Sequence, residues 1–482
     1  MVCPATHWPW NETLRHPLDL LRPTGRDPPY PVPPAEPLSA WRFFQAMRAD
    51  PMTAWSERAY REPYVFLPGG RHIPDLALVT DPALVRLIFL DRVSIYDKGD
   101  AVRRRLSAAL GNALLIAPEA SWRPQRRIVA PMFQSRRVET FVCDMTAVAK
   151  AVLGSFDANR NEVTGIHEAM LVYAYGVIER TAFSSDGVAD PLAFSRAIAS
   201  YFNTLGRIDG ATLLNLPRWL PTPGRLMARA PLRLFRREIG AVIARRREQM
   251  TRLGADAAPD DLLTRLLTTP DPQTGQRMSD ELVYDNAMVF FAAGHETTAN
   301  TLAWVLFLLS ENPDWDQRLL SEIQTVVGDR DPSATELDQL VQTRMVIDEA
   351  LRLYPAAPLI PRMPTQDDVL GPMKLRKGAI VFTSPFISQR HRAHWDKPNS
   401  FDPERFRPAR REAIDRYVYF PFGAGPRVCI GTAFAIQEIM IALVVWLRRY
   451  RFVATEPDRV FPRMAITLSP AGGLPMRLVA RG

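Results

Sequence analysis

The sequence predicts a mainly α fold with small β-sheets, and three observations carry that expectation. From Asp81 onward most of the 482 residues show the three-to-four-residue spacing of apolar side chains that a helix face produces. The strand-like runs are few and short. They are Tyr64 to Phe66 and Leu76 to Val79, divided by the turn signal Gly69-Gly70, then Ala379 to Thr383, Ala465 to Leu468 and Met476 to Val479. No internal repeat or low-complexity linker divides the chain. One domain over 38–482 is therefore expected, although length alone would allow roughly three.

In chain order, residues 1–37 form a leading segment. Its proline density from Pro23 to Pro37 (Pro28, Pro29, Pro31, Pro33, Pro34) reads as extended, polyproline-like chain. Neither this stretch nor any later one holds a signal peptide or an 18-residue uncharged apolar run, so no membrane span is expected. Cys3, Cys143 and Cys429 form no CxxC pair and no disulfide framework, which suits a reducing compartment, the cytoplasm. The net charge of +8 favours acidic partners. Nucleic acid is not among them: zinc-finger spacing, an RNP-like segment and a basic tail are all missing.

Ser279 can cap a helix that begins at Asp280 and runs to about Ser310, where Asn312-Pro313 stops it. Its centre, Ala292-Ala293-Gly294-His295-Glu296-Thr297-Thr298, breaks helix rules inside an apolar background. Glycine and β-branched threonines weaken a helix, and threonine hydroxyls bond back to preceding carbonyls. Such local violations mark functional sites. An acid beside an alcohol can pass protons in a water-poor pocket.

Further on, Phe422-Gly423-Ala424-Gly425-Pro426-Arg427-Val428-Cys429-Ile430-Gly431 places one cysteine in a glycine- and proline-punctuated loop before a long apolar helical run. A single cysteine beside a helix is most often a small buried hydrophobe. At a helix start, however, backbone N–H groups favour a thiolate.

The loop matches F-x-x-G-x-R-x-C-x-G completely, through Phe422, Gly425, Arg427, Cys429 and Gly431. In this it resembles the cytochrome P-450 family. The resemblance covers nearly everything from about Leu38 to the C-terminus. It implies the family's fold, with heme b between the long central helix and the cysteine loop, and Cys429 as axial ligand to the heme iron. It makes Gly423 part of the heme-binding loop. The A-G-x-[DE]-T-T match implies proton relay by Glu296 and Thr297, with Ala293 and Gly294 leaving room for oxygen. His295 falls at the variable position and is read as structural.

Heme carboxylates need cations, and arginine binds them in two places. W-x-x-x-R gives Trp122 and Arg126, and Arg362 and Arg427 complete the propionate candidates. E-x-x-R and P-E-R-F give Glu349, Arg352 and Arg405, a structural triad that fixes the heme loop. The family's His-Arg pair is replaced by Gln389-Arg390, with His391 following, which leaves open whether a histidine contacts heme there.

The function implied is a monooxygenase acting on an apolar small molecule and O2. Electrons would come from NAD(P)H through a separate ferredoxin or flavodoxin and its reductase, because no reductase module follows the cysteine helix. Arg427, Arg448, Arg449 and Arg451 are the candidate steering charges. Ile95 to Pro118, Ile198 to Leu216 and Pro358 to Ile360 would line the substrate pocket. Two other functions compete: a P-450-like peroxygenase or isomerase, and a non-catalytic heme sensor or carrier.

Overall fold

The computed structural model describes residues 27–70, 73–158, 162–184, 187–188, 190–205, 226–254 and 257–481. Residues 1–26, with Cys3, and the pocket stretch 206–216 lie outside the described residues. The proline segment from 27 to 37 is without helix or strand and lies on the body. Pro29 O accepts from Tyr354 Oη at 2.8 Å, and Pro34 O accepts from the Glu57 N–H at 2.9 Å.

The helices of ten residues or more are α1 (Ala40–Ala49), α2 (Asp100–Leu110), α3 (Glu119–Val129), α4 (Val142–Ala158), α5 (Ile166–Phe183) and α6 (Pro191–Leu205). They continue as α7 (Arg229–Leu253), α8 (Asp280–Glu311), α9 (Pro313–Val326), α10 (Val341–Leu353) and α11 (Thr432–Leu447). The strands are β1 (Tyr64–Leu67), β2 (Leu76–Val79), β3 (Tyr96–Asp97), β4 (Val163–Gly165), β5 (Ile360–Pro364) and β6 (Asp368–Leu370). The last six are β7 (Met373–Leu375), β8 (Ile380–Thr383), β9 (Tyr450–Ala454), β10 (Phe461–Met464), β11 (Leu468–Ala471) and β12 (Pro475–Ala480).

A five-stranded sheet runs β1-β2-β8-β5-β3. Its β2–β8 pair is parallel, with Leu78 opposite Phe382. A three-stranded sheet runs β4-β12-β9, and β6–β7 and β10–β11 are hairpins. Of the expected strand at Ala465 to Leu468, the first three residues form the turn between β10 and β11 and Leu468 opens β11. There the Ala465 N–H donates to Thr467 O at 3.3 Å and reverses the chain.

The centre is α8, which starts and stops as its sequence dictates. Ser279 accepts from the Leu282 N–H at 3.3 Å, Asp280 and Glu281 occupy the positive end of the dipole, and Pro313 opens α9. From Leu302 to Leu309 it is apolar all round and buried, as a helix enclosed by neighbours must be. It lies chiefly along α5, and also meets α10 and α11. Phe133 stands edge-on to Phe290 of α8 (5.5 Å between ring centres) and to Phe434 of α11 (6.2 Å), so one ring spans the two helices. From Ile439 to Leu447 every side chain of α11 is buried, so the loop before it is set on a rigid base. No helix among the described residues is long and apolar enough to cross a membrane.

Candidate active site

The Cys429 loop is held by its own backbone. The Cys429 N–H donates to Phe422 O at 2.9 Å, and the Gly423 N–H donates to Phe420 O at 2.9 Å. Gly425 has φ +71°, and a Cβ there would collide with the carbonyl oxygen of Phe89, so only glycine permits this approach. Gly431 is the N-cap residue of α11. Its N–H reaches the Cys429 sulfur, and the Thr432 hydroxyl lies close to both the sulfur and Cys429 O (3.0 Å).

Burial pushes the Cys429 thiol up. The Gly431 N–H, the Arg126 guanidinium, Thr432 and the Lys98 ammonium oppose it. The thiolate-favouring groups expected at a helix start are present, but burial outweighs them.

Lys98 is a site residue that sequence reasoning missed. It follows β3 directly, and its ammonium donates to Leu115 O. Protein surrounds Lys98 and Cys429, yet both keep side-chain surface uncovered, so they border an enclosed space. Burial, and then repulsion from Arg362 and Arg427, push the Lys98 ammonium well below its ordinary range, while Cys429 acts the other way. Arg362 is pushed down to about 10 by burial and by Arg427. Burial also lowers Arg126. The missed signal was an isolated lysine beside a Gly99 turn in an arginine-rich chain, and nothing local marks it.

The cations are thus brought together, but with different partners. Arg126 Nη1 donates to Val428 O (3.1 Å), and Arg362 Nη1 to Pro361 O (2.9 Å). Arg427 lies over the Trp122 ring at 4.7 Å and binds Ala117 O and Glu119. Among the described residues no carboxylate pairs with Lys98, Arg126 or Arg362. A buried group of like charges without anions is unfavourable. A ligand that brings two carboxylates next to a thiolate-binding metal resolves it, so these residues fit heme. Arg427 is itself enclosed, with its side chain 5% exposed, and therefore cannot act as a surface steering charge as expected.

On α8, Thr297 Oγ1 donates back to Ala293 O at 2.8 Å, as expected of a threonine within a helix. Glu296 accepts from Thr467 Oγ1 at 2.5 Å, and burial raises its carboxyl above the ordinary value against that bond. A Cβ on Gly294 would sit 2.7 Å from Ile178 Cδ1, so its smallness also serves the contact of α8 with α5. His295 is buried, bonds Phe291 O at 2.6 Å through Nδ1, and is pushed down to about 4 by burial, as suits a structural residue.

Glu349 and Arg352 form a fully buried two-point ion pair at 2.6 and 2.7 Å. Arg405 is the distant member, 3.7 Å from Glu349. Gln389 connects this group to the cysteine loop: its Oε1 accepts from the Phe420 N–H, and its Nε2 donates to Leu351 O and Arg352 O. His391 turns away and bonds Glu62 O at 3.1 Å. Of the expected pocket residues, Leu114 and Ile116 are buried, Phe202 and Leu359 lie against the core, and Leu115 is exposed.

Comparison with known proteins agrees with this geometry. The Cytochrome P450 family model matches residues 58–474. Cyclooctatin synthase of Streptomyces melanosporofaciens is 32% identical over 90% of this chain and 96% of its own. Pentalenene oxygenase of Streptomyces avermitilis is 33% identical over 83% and 87%. The crystal structure of the cytochrome P450DA heme domain superposes with a TM-score of 0.80 at 25% identity, covering 94% of this chain and 98% of that one. With the family model spanning most of the chain and relatives above 30% identity along nearly their whole length, the chain belongs to the cytochrome P450 family and is a heme monooxygenase.

Proposed function

We propose that this monooxygenase inserts one atom of O2 into a C–H or C=C bond of an apolar, ring-containing hydrocarbon. Its electrons come from NAD(P)H by way of a ferredoxin or flavodoxin and its reductase. The observation that carries the reading is the enclosed acid–alcohol pair, Glu296 and Thr297, at the centre of α8. P-450-like peroxygenases and isomerases usually lack that pair, and a heme sensor needs no proton relay.

Heme, when bound, supplies the redox chemistry on O2. Cys429 would give it an anionic sulfur. Lys98, Arg126 and Arg362 would hold its propionates, helped by Arg427 stacked on Trp122. Burial raises the Glu296 carboxyl above its ordinary value, and Glu296 with Thr297 is the acid–alcohol pair that would pass protons. Leu114, Ile116, Phe202 and Leu359 offer an apolar wall. The substrate class draws on the names of the relatives, cyclooctatin synthase and pentalenene oxygenase.

The redox partner docks at a recess of about 320 Å³ on the outer side of the cysteine loop, where Arg344, Arg411 and Arg416 stand beside Phe422 and Val428. Asp348 pairs with Arg344 and Arg411 there, and the arginines still outnumber it, so the rim is basic and suits an acidic protein. The unpaired Cys143 and Cys429 suit the cytoplasm.

The test is spectral. Reduced holoprotein under carbon monoxide is expected to show the red-shifted Soret band of thiolate coordination, and Cys429→Ser to lose it. Pentalenene, in a panel of apolar compounds, is expected to shift the resting Soret band and to be oxidised by the reconstituted chain. Turnover supported far better by hydrogen peroxide than by that chain would favour the peroxygenase.

A further inference from the structure

Three side chains from separate elements form a hydrogen-bond chain that ends on Glu296. His167, in the first turn of α5, lies with Nε2 at 2.7 Å from Asn300 Oδ1. Asn300, one turn beyond Glu296 on α8, donates through Nδ2 to Thr467 Oγ1 at 3.1 Å. Thr467, in the β10–β11 turn, donates to Glu296 Oε1 at 2.5 Å.

The chemistry of the groups gives the chain one direction. An amide oxygen can only accept, so His167 must carry its hydrogen on Nε2. The amide nitrogen then donates to Thr467, which leaves the threonine proton for Glu296. All three donors point toward the carboxyl. The ends are braced independently. The Ile166 N–H donates to Leu474 O (3.1 Å), and the Leu468 N–H to Ala356 O (3.0 Å).

We infer that His167, Asn300 and Thr467 are positioning residues that hold Glu296 Oε1 as an acceptor, so that the transferable proton resides on Oε2. The inference rests on the reading of Glu296 as the proton-delivering acid. Thr467 alone would leave its hydroxyl free to rotate. The amide behind it removes that freedom, and the imidazole fixes which way the amide faces. Asn300 is buried and His167 keeps part of its surface uncovered, so the outer end tolerates substitution.

The experiment uses holoprotein reconstituted with ferredoxin and reductase, and reads NADPH-driven O2 consumption in H2O and in D2O. Glu296→Gln is expected to slow consumption by about 10²-fold. His167→Leu and Thr467→Val are expected to slow it by about tenfold, the scale seen for partners that orient a functional group, and to raise the solvent isotope effect. The carbon monoxide spectrum and melting temperature should stay unchanged. His167→Gln, which retains an N–H donor for Asn300, should restore most of the rate. If Glu296→Gln slows consumption while His167→Leu behaves as the parent, the chain is overturned and the reading of Glu296 survives. If His167→Gln is as slow as His167→Leu, the donor role is overturned. If Glu296→Gln has no effect, the acid reading falls and takes this inference with it.

Discussion

Replacing Glu349 by alanine is expected to abolish heme retention rather than slow turnover. Arg352 is fully buried and directs its guanidinium at Glu349 and at the carbonyls of Gln389 (2.9 Å), Pro398 (2.6 Å) and Ser400 (2.9 Å). Glu349 also accepts the Asp402 N–H at 2.8 Å. Removing the carboxylate leaves a buried charge without its counter-ion, which typically costs about 3–5 kcal/mol. The orphaned Asp402 N–H adds to that loss. A loss of this size is a factor of roughly 10² or more in folding equilibrium, out of a total stability of about 5–15 kcal/mol.

The damage is directed at the heme loop, because Gln389 ties the Arg352 segment to Phe420, two residues before Phe422. Arg405→Ala is the internal comparison. Its contact is 3.7 Å long and its side chain 12% exposed, so the expected cost is nearer 1 kcal/mol and heme should remain. The assay is heme per protein chain by absorbance, with thermal unfolding of the same sample. A Glu349→Ala protein with full heme and the parent's melting temperature would refute the reasoning.

Two further outcomes follow from buried charge. Lys98→Met should release heme to apomyoglobin about tenfold faster or more, since a charge-assisted hydrogen bond is worth about 1.5–3 kcal/mol. The same change should stabilise the heme-free protein, because it removes repulsion with Arg362 and Arg427. Glu438 lies fully buried on α11 near Thr298, and burial pushes its carboxyl well above the ordinary value. The unfolded chain therefore loses this proton first. Stability should fall as pH rises above the unfolded carboxylate range, with a slope of up to about 1.4 kcal/mol per unit. Glu438→Gln should flatten that slope in urea titrations at successive pH values, and an unchanged slope would contradict the neutral acid.

The elements whose rules are local were legible along the chain. The span of α8 could be read from Ser279 and Asn312-Pro313, because capping and termination act within a few residues. The cysteine loop could be read because glycine, proline and one thiol at fixed spacing constrain backbone and chemistry together. The Glu349–Arg352 pair could be read because three residues along a helix lie on one face.

Tertiary structure decided what depends on distance through space. Ala465 to Leu468 is apolar and β-branched enough for a strand, and only the pairing of β10 with β11 makes Ala465 to Thr467 a turn that delivers Thr467 to Glu296. At Gly294 only the packing of α5 brings Ile178 close enough to crowd a Cβ. Lys98 carried no local signal, since a cation matters there only because Arg362 and Arg427 arrive from segments hundreds of residues away. Local spacing thus determined the helices and the ligand loop, and the motifs on them carried the family resemblance. Desolvation and long-range electrostatics, which exist only once the chain has closed on itself, decided which side chains complete the site.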